Sequence, residues 1–169
     1  MAAGAGAYPR RMPLSVLPVP VRRVAYRAAH AGMRLYWRVA RPQTRGVKCV
    51  VRHGDAVVFV RHSYGDRRQW ELPGGTMKRG EDPRDTAARE ANEELGLDLA
   101  EWRALGSVEV TGYGKRTTIV CFEADAPATA LTVDAGEIEE ARWCTLADPP
   151  APLGLDAQVV LTRLVLARG

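Results

Sequence analysis

Glu90, Glu93 and Glu94 stand at positions i, i+3 and i+4 of one short segment. On a helix that spacing puts all three carboxylates on one face. Like charges so placed repel by roughly 0.2–0.5 kcal/mol per pair, and a divalent cation removes the repulsion. Oxygen donors with no neighbouring His or Cys point to Mg²⁺, with Mn²⁺ as the alternative. The surrounding residues supply the helix. Asp82 suits the N-cap, Pro83 the first helical position and Asp85 the positive end of the dipole, while Gly96 is a C-terminal stop. The predicted helix is 83–95. Ala88, Ala91 and Leu95 are placed on the opposite face to pack a core, which leaves the acidic face unpacked. Pro73-Gly74-Gly75 forms a tight loop ahead of it.

Gly75, Glu81, Arg89, Glu90, Glu93, Glu94 and Gly96 fit the pattern G-x5-E-x7-R-E-U-x-E-E-x-G-U, with Ala91 and Leu97 at the aliphatic U positions. This resembles the signature of the Nudix hydrolases, which cleave a nucleoside diphosphate linked to another moiety X. The resemblance implies a metal-dependent diphosphate hydrolase giving a nucleoside monophosphate and phospho-X. It makes Glu90, Glu93 and Glu94 the metal-binding and catalytic carboxylates, with the Gly74 carbonyl a further ligand and Glu90 one candidate for the general base. It gives Gly75, Glu81, Arg89 and Gly96 structural roles, Glu81 and Arg89 locking loop to helix. Glu137, six residues before Trp143, is the expected late catalytic acid, with Glu140 the runner-up. Arg61 at a strand end, Tyr64 and Tyr113 are the expected substrate contacts. His62 is read as a satisfied or solvated histidine.

The signature identifies the bond broken better than the group attached, so nucleotide clean-up, dinucleotide cleavage and 5′-end RNA processing all stay open. A nucleic acid substrate therefore remains among the partners. The competing reading is a catalytically weak Nudix-fold module that senses nucleotides or binds a membrane surface. The retained Glu90, Glu93 and Glu94 favour the enzyme.

A chain of 169 residues suits one domain and an extension. Cys49, Cys121 and Cys144 form no C-x-x-C pair and lie in strand-like stretches, which reads as reduced thiols in a cytoplasmic protein. Charge is segregated. Eleven Arg and Lys residues precede the first acid, Asp55, so the overall net charge of +4 belongs to the N-terminal part and the remainder is net acidic.

Residues 1–20, rich in Pro and small residues, are expected to be disordered. Residues 21–44 read as a basic amphipathic helix and linker. Arg23, Arg27, His30, Arg34, Arg38 and Arg41 recur on one face, and Val21, Val24, Ala28, Leu35 and Val39 on the other. Packing of Val24, Leu35 and Val39 on the chain's own domain, or on a partner subunit in a homodimer, leaves the arginines solvated. The rival expectation is that 21–41 binds an anionic membrane surface or an acidic partner, making the protein peripheral to the membrane. No apolar run reaches the length of a spanning helix. Residues 45–169 make the Nudix-like hydrolase domain. Predicted strands cover 46–52, 56–62, 70–72, 102–110, 117–124 and 138–144, with a C-terminal helix over 156–167. The fold class is α/β, an α/β/α sandwich with a mixed sheet preceded by the basic helix.

Overall fold

The computed structural model describes residues 17–165. The expectation of disorder over 1–20 therefore falls almost wholly outside the described residues. Helix α1 spans Val19–Ala40, beginning two residues before the predicted start. Pro20 sits in its first turn, where a missing N–H breaks no intrahelical bond.

Strands β1 (Gln43–His53), β2 (Ala56–His62), β3 (Arg103–Gly112), β4 (Lys115–Asp125) and β5 (Ile138–Thr145) form one sheet in the order β3-β4-β1-β2-β5. β1 and β4 run parallel, from Gln43 against Arg116 to Arg52 against Asp125, and the other pairings are antiparallel. The sheet is therefore mixed. Trp70-Glu71-Leu72 contributes only single bridges, Val60 with Glu71 and Trp70 with Leu153.

Helix α2 (Pro83–Leu95) covers one face and α3 (Leu155–Val160), continued by a π-helical turn over Leu161–Val165, covers the other. Period-two alternation distributes the central strands between the two layers. Val47, Cys49 and Val51 pack under Ala87, Ala91 and Leu95, while Val50, Val57 and Phe59 pack with Ala157, Val160 and Leu161. Strand β1 is buried on both faces from Gly46 to Val51, which explains a run there that is apolar but for Lys48. Cys49 and Cys121 are buried and Cys144 is half-buried, all three as thiols.

α1 docks in the opposite sense to the packing expected for it. Its half-buried side carries Arg22, Arg23, Tyr26, His30 and Trp37, whereas Val24, Leu35 and Val39 face outward at 65%, 65% and 80% exposure. The reason is what the domain offers there: carbonyls, a carboxylate and aromatic rings. Arg22 pairs with Asp134 at 2.5 Å, Arg23 donates to the Ala135 carbonyl and Arg27 to the Ser63 carbonyl, each at 3.0 Å. Such polar carbonyls are satisfied by guanidinium groups and by no aliphatic side chain.

Candidate active site

The loop Pro73-Gly74-Gly75 is stitched onto β1. Val47 N–H donates to the Gly75 carbonyl at 2.9 Å and Cys49 N–H to the Pro73 carbonyl at 2.8 Å. Gly74 has φ 138°, and a Cβ there would collide with the Val47 carbonyl. A Cβ on Gly75 would strike the Glu90 carboxylate, so glycine lets that carboxylate approach the loop backbone.

α2 aims its acids at this loop. The Asp82 carboxylate accepts from Arg84 N–H at 2.8 Å as N-cap, Pro83 opens the helix, and Gly96 ends it at φ 69°. The acidic side is not an unpacked face. Glu90 and Glu94 are buried at 9% and 2% exposure, because the glycine loop closes over them. Gly74 N–H donates to Glu94 Oε2 at 2.9 Å. Glu93, in contrast, points to solvent at the rim and pairs with Arg89 at 2.9 Å. Arg89 also reaches Glu90 at 2.7 Å and grips both oxygens of Glu81 at 2.8 and 3.1 Å. It thus ties the 78–81 turn to the helix and to one buried acid.

Glu137 enters from the loop before β5. Its backbone carbonyl accepts from Ser63 N–H, and its Oε1 accepts from the Tyr64 hydroxyl, both at 2.8 Å. Burial and neighbouring carboxylates raise buried Glu90 and Glu94 and half-buried Glu137. Desolvation is the first cause for Glu90, Glu94 and Glu137, and the charge of Glu137 is the next for Glu94. Glu137 and Glu90 act on Glu94, and Glu93 and Glu137 act on Glu90, so these carboxylates stand close enough to repel one another. His62, Glu94 and Glu137 present ligand atoms within 4.8 Å of one another, and His62 Nε2 lies 3.9 Å from Glu94 Oε1. Burial, then Lys48, pushes His62 down to about 3, so its imidazole is neutral and keeps a lone pair. This set of carboxylate oxygens and one neutral imidazole fits a hard or borderline divalent cation.

Beside the acids lies a cavity of about 240 Å³, reached by Gly74, Gly75, His62, Tyr64 and Tyr113 among its lining residues. The Tyr113 hydroxyl donates to Gln69 at 3.2 Å. Arg61 is not part of that lining. It is held by Glu140 at 2.8 Å and Glu139 at 3.3 Å, so the strand-end Arg serves an ion-pair network there. Glu140 belongs to the same network, with Arg142 on its other oxygen at 2.7 Å, and does not meet the α2 carboxylates.

Two features escaped the sequence reading. Lys48 is buried, donating to the Leu72 carbonyl at 2.9 Å and lying 3.1 Å from Glu71. Its signal was a lone cation inside an apolar strand. Burial works against its charge, but Glu71, Asp156 and Glu94 outweigh that and raise it. α1 also enters the site, through His30, Arg34 and Trp37 on the cavity wall.

Comparison with known proteins agrees with the geometry. The family model described as "NUDIX domain" matches residues 42–164. A segment of 50 residues, 29% of this chain and 24% of the relative, is 54% identical to an ADP-ribose pyrophosphatase of Mycobacterium tuberculosis. Over 101 residues, 59% of this chain and 32% of the relative, the chain is 35% identical to the NAD-capped RNA hydrolase NudC of the same species. The chain thus spans about a quarter to about a third of the length of these curated relatives. Among solved structures, a MutT NUDIX hydrolase from Burkholderia pseudomallei superposes with TM-score 0.67 at 22% identity, covering 73% of this chain and 98% of that one. The NUDIX domain of Shewanella oneidensis NrtR, solved with ADP ribose, superposes with TM-score 0.65 at 20% identity, covering 76% and 90%. At these identities the superpositions establish the shared fold.

Proposed function

The chain belongs to the Nudix family, and from that premise we propose that it is a metal-dependent hydrolase of the diphosphate link in a nucleoside diphosphate derivative. The observation that carries this reading is the gathering of Glu94, Glu137 and His62 within 4.8 Å, with buried Glu90 against Gly75, beside a cavity that Gly74, Gly75 and His62 line.

Glu90, Glu94 and Glu137 would hold Mg²⁺ or Mn²⁺, with Glu93 acting through water from the rim and the Gly74 carbonyl as a further ligand. The ion, when bound, neutralises the diphosphate and lowers the pKa of bound water. The chain's own groups do the rest. The Gly74 N–H fixes Glu94, and the Tyr64 hydroxyl fixes Glu137. Arg89 occupies Glu90 Oε1, so Oε2 is the Glu90 oxygen open to the ion or to a proton of the attacking water. Glu81 and Arg89 keep the loop on the helix, and Tyr64 and Tyr113 flank the substrate. Catalysis is then mainly positioning and electrostatic stabilisation.

The names of the relatives put ADP-ribose and NAD-linked nucleotides, including NAD-capped RNA, first among the substrates to try. The test is phosphate-ester release from ADP-ribose, NADH, NDP-sugars, dinucleoside polyphosphates, NTPs and NAD-capped RNA, with Mg²⁺, with Mn²⁺ and in EDTA. Turnover of at least one substrate with either ion, abolished by EDTA and restored by the ion, is expected. Nucleotide binding without turnover across the panel would instead favour a sensing module.

A further inference from the structure

α1 lies outside the family match, yet it forms one wall of the active-site cavity. Its polar and aromatic side is turned inward, and every described anchor of its N-terminal half lands on the segments that carry the site. Arg22 and Arg23 hold Asp134 and Ala135, just ahead of Glu137. Arg27 holds Ser63, Tyr26 stacks on Tyr64 with centroids 5.9 Å apart, and His30 meets Tyr64 at 5.3 Å. Towards its C-terminal end, Trp37 lies under Lys115, whose Nζ sits 4.1 Å from the ring centroid. The Gly114 backbone packs so closely on Trp37 and Arg38 that a Cβ would come within 3.1 Å of the Trp37 carbonyl. The turn between β3 and β4 is thereby clamped to the helix, and Lys115 is presented to the cavity.

The lining there is of mixed sign. Lys115 and Arg34 are offset by Asp156 and Asp66, and Gln69 offers both a donor and an acceptor. Balanced charge disfavours a further phosphate. Aromatic surface with alternating donors and acceptors suits a planar, neutral group with hydrogen-bonding edges. Resting on the hydrolase reading above, we propose that α1 is the specificity wall of this enzyme, with Trp37 and Lys115 recognising the base of the nucleotide.

The experiment is calorimetric binding of AMP, GMP, CMP and UMP, against ribose 5-phosphate, to the full chain and its Trp37→Ala, Lys115→Ala, double and Val39→Ser variants. At least one nucleotide is expected to bind the parent more tightly than ribose 5-phosphate. Trp37→Ala and Lys115→Ala should each weaken that nucleotide roughly tenfold or more, the scale of a base–aromatic contact. The double variant should lose little beyond either single one, since ring and ammonium act as a unit. Ribose 5-phosphate binding should hold throughout, and Val39→Ser, on the outward side, should bind as the parent. Unchanged nucleotide binding in Trp37→Ala overturns the proposal, as does an equal loss for nucleotide and ribose 5-phosphate. A parent that hydrolyses nucleotides yet binds none more tightly than ribose 5-phosphate overturns base recognition while the hydrolase reading stands. A parent with no turnover on the panel fails that reading and takes this proposal with it.

Discussion

Glu94 and Glu93 are adjacent in sequence, and their environments differ completely. Glu94 is buried beneath the glycine loop with one N–H on it, whereas the Glu93 carboxylate is 54% exposed and paired with Arg89. Helical spacing made the two equivalent, because i+3 and i+4 share a face and nothing in the sequence says which of them a loop will cover. The structure ranks them. Glu94→Gln is expected to reduce kcat by two orders of magnitude or more, since it removes a carboxylate from the centre of the site. Glu93→Gln should reduce it far less. The parent should gain thermal stability on adding Mn²⁺, as any ligand specific to the folded state does, and Glu94→Gln should not. Equal kcat losses in the two variants would show that burial does not sort their roles. Glu137, expected as a late acid from the family resemblance, lies within 4.8 Å of Glu94 and His62. The ion pairs of Arg61 with Glu139 and Glu140 were not legible, because these partners come from a strand that is distant in sequence.

At the scale of elements, α2 was readable almost to the residue because its two ends are local chemistry. Asp82 and Pro83 start it and Gly96 stops it, and these need no distant partner. The strands were readable through their alternation, but their order and the parallel pairing of β1 with β4 depend on contacts far apart in the chain. Within the described residues, the helix predicted over 156–167 is α3 followed from Leu161 to Val165 by a π-helical turn, a change the side-chain pattern does not encode. The loop–helix lock yields a pH prediction. Hydrogen bonds from Arg89, then from Lys78 N–H, hold Glu81 down to about 2. A carboxylate depressed in the folded state stabilises it at pH values above its unfolded pKa of about 4.3, and that contribution is lost as pH falls through the folded value. Glu81→Gln should therefore melt below the parent by a constant margin above pH ~5, and the margin should close between pH ~4.3 and ~2. A margin independent of pH over that range would mean that the ion pair between Glu81 and Arg89 does not support the loop.

For the molecule as a whole, the orientation of α1 decides what the basic N-terminal part can do. Segregated charge and an amphipathic pattern were plain in the sequence. The direction in which the helix would face was not, since an aliphatic stripe ordinarily turns inward. Here Arg22, Arg23 and Arg27 are consumed by the domain, and the outward side presents Val24, Leu35, Tyr36 and Val39. No described helix is long and apolar enough to cross a membrane. We therefore propose an anionic membrane surface as partner not of the arginine face but of this outward stripe, flanked by exposed Arg38 and Arg41, where each cation would add about 1 kcal/mol. Co-sedimentation with phosphatidylserine vesicles is expected at low salt and should weaken several-fold as salt approaches ~0.15 M. Leu35→Ser with Val39→Ser should abolish it without altering nucleotide hydrolysis, because neither residue lines the cavity. Arg23→Ala should leave it intact, because that guanidinium already faces the Ala135 carbonyl. Failure to sediment at low salt would rule out the lipid surface. A doubling of mass in solution that the paired serine substitutions reverse would give the stripe to a second copy of the chain.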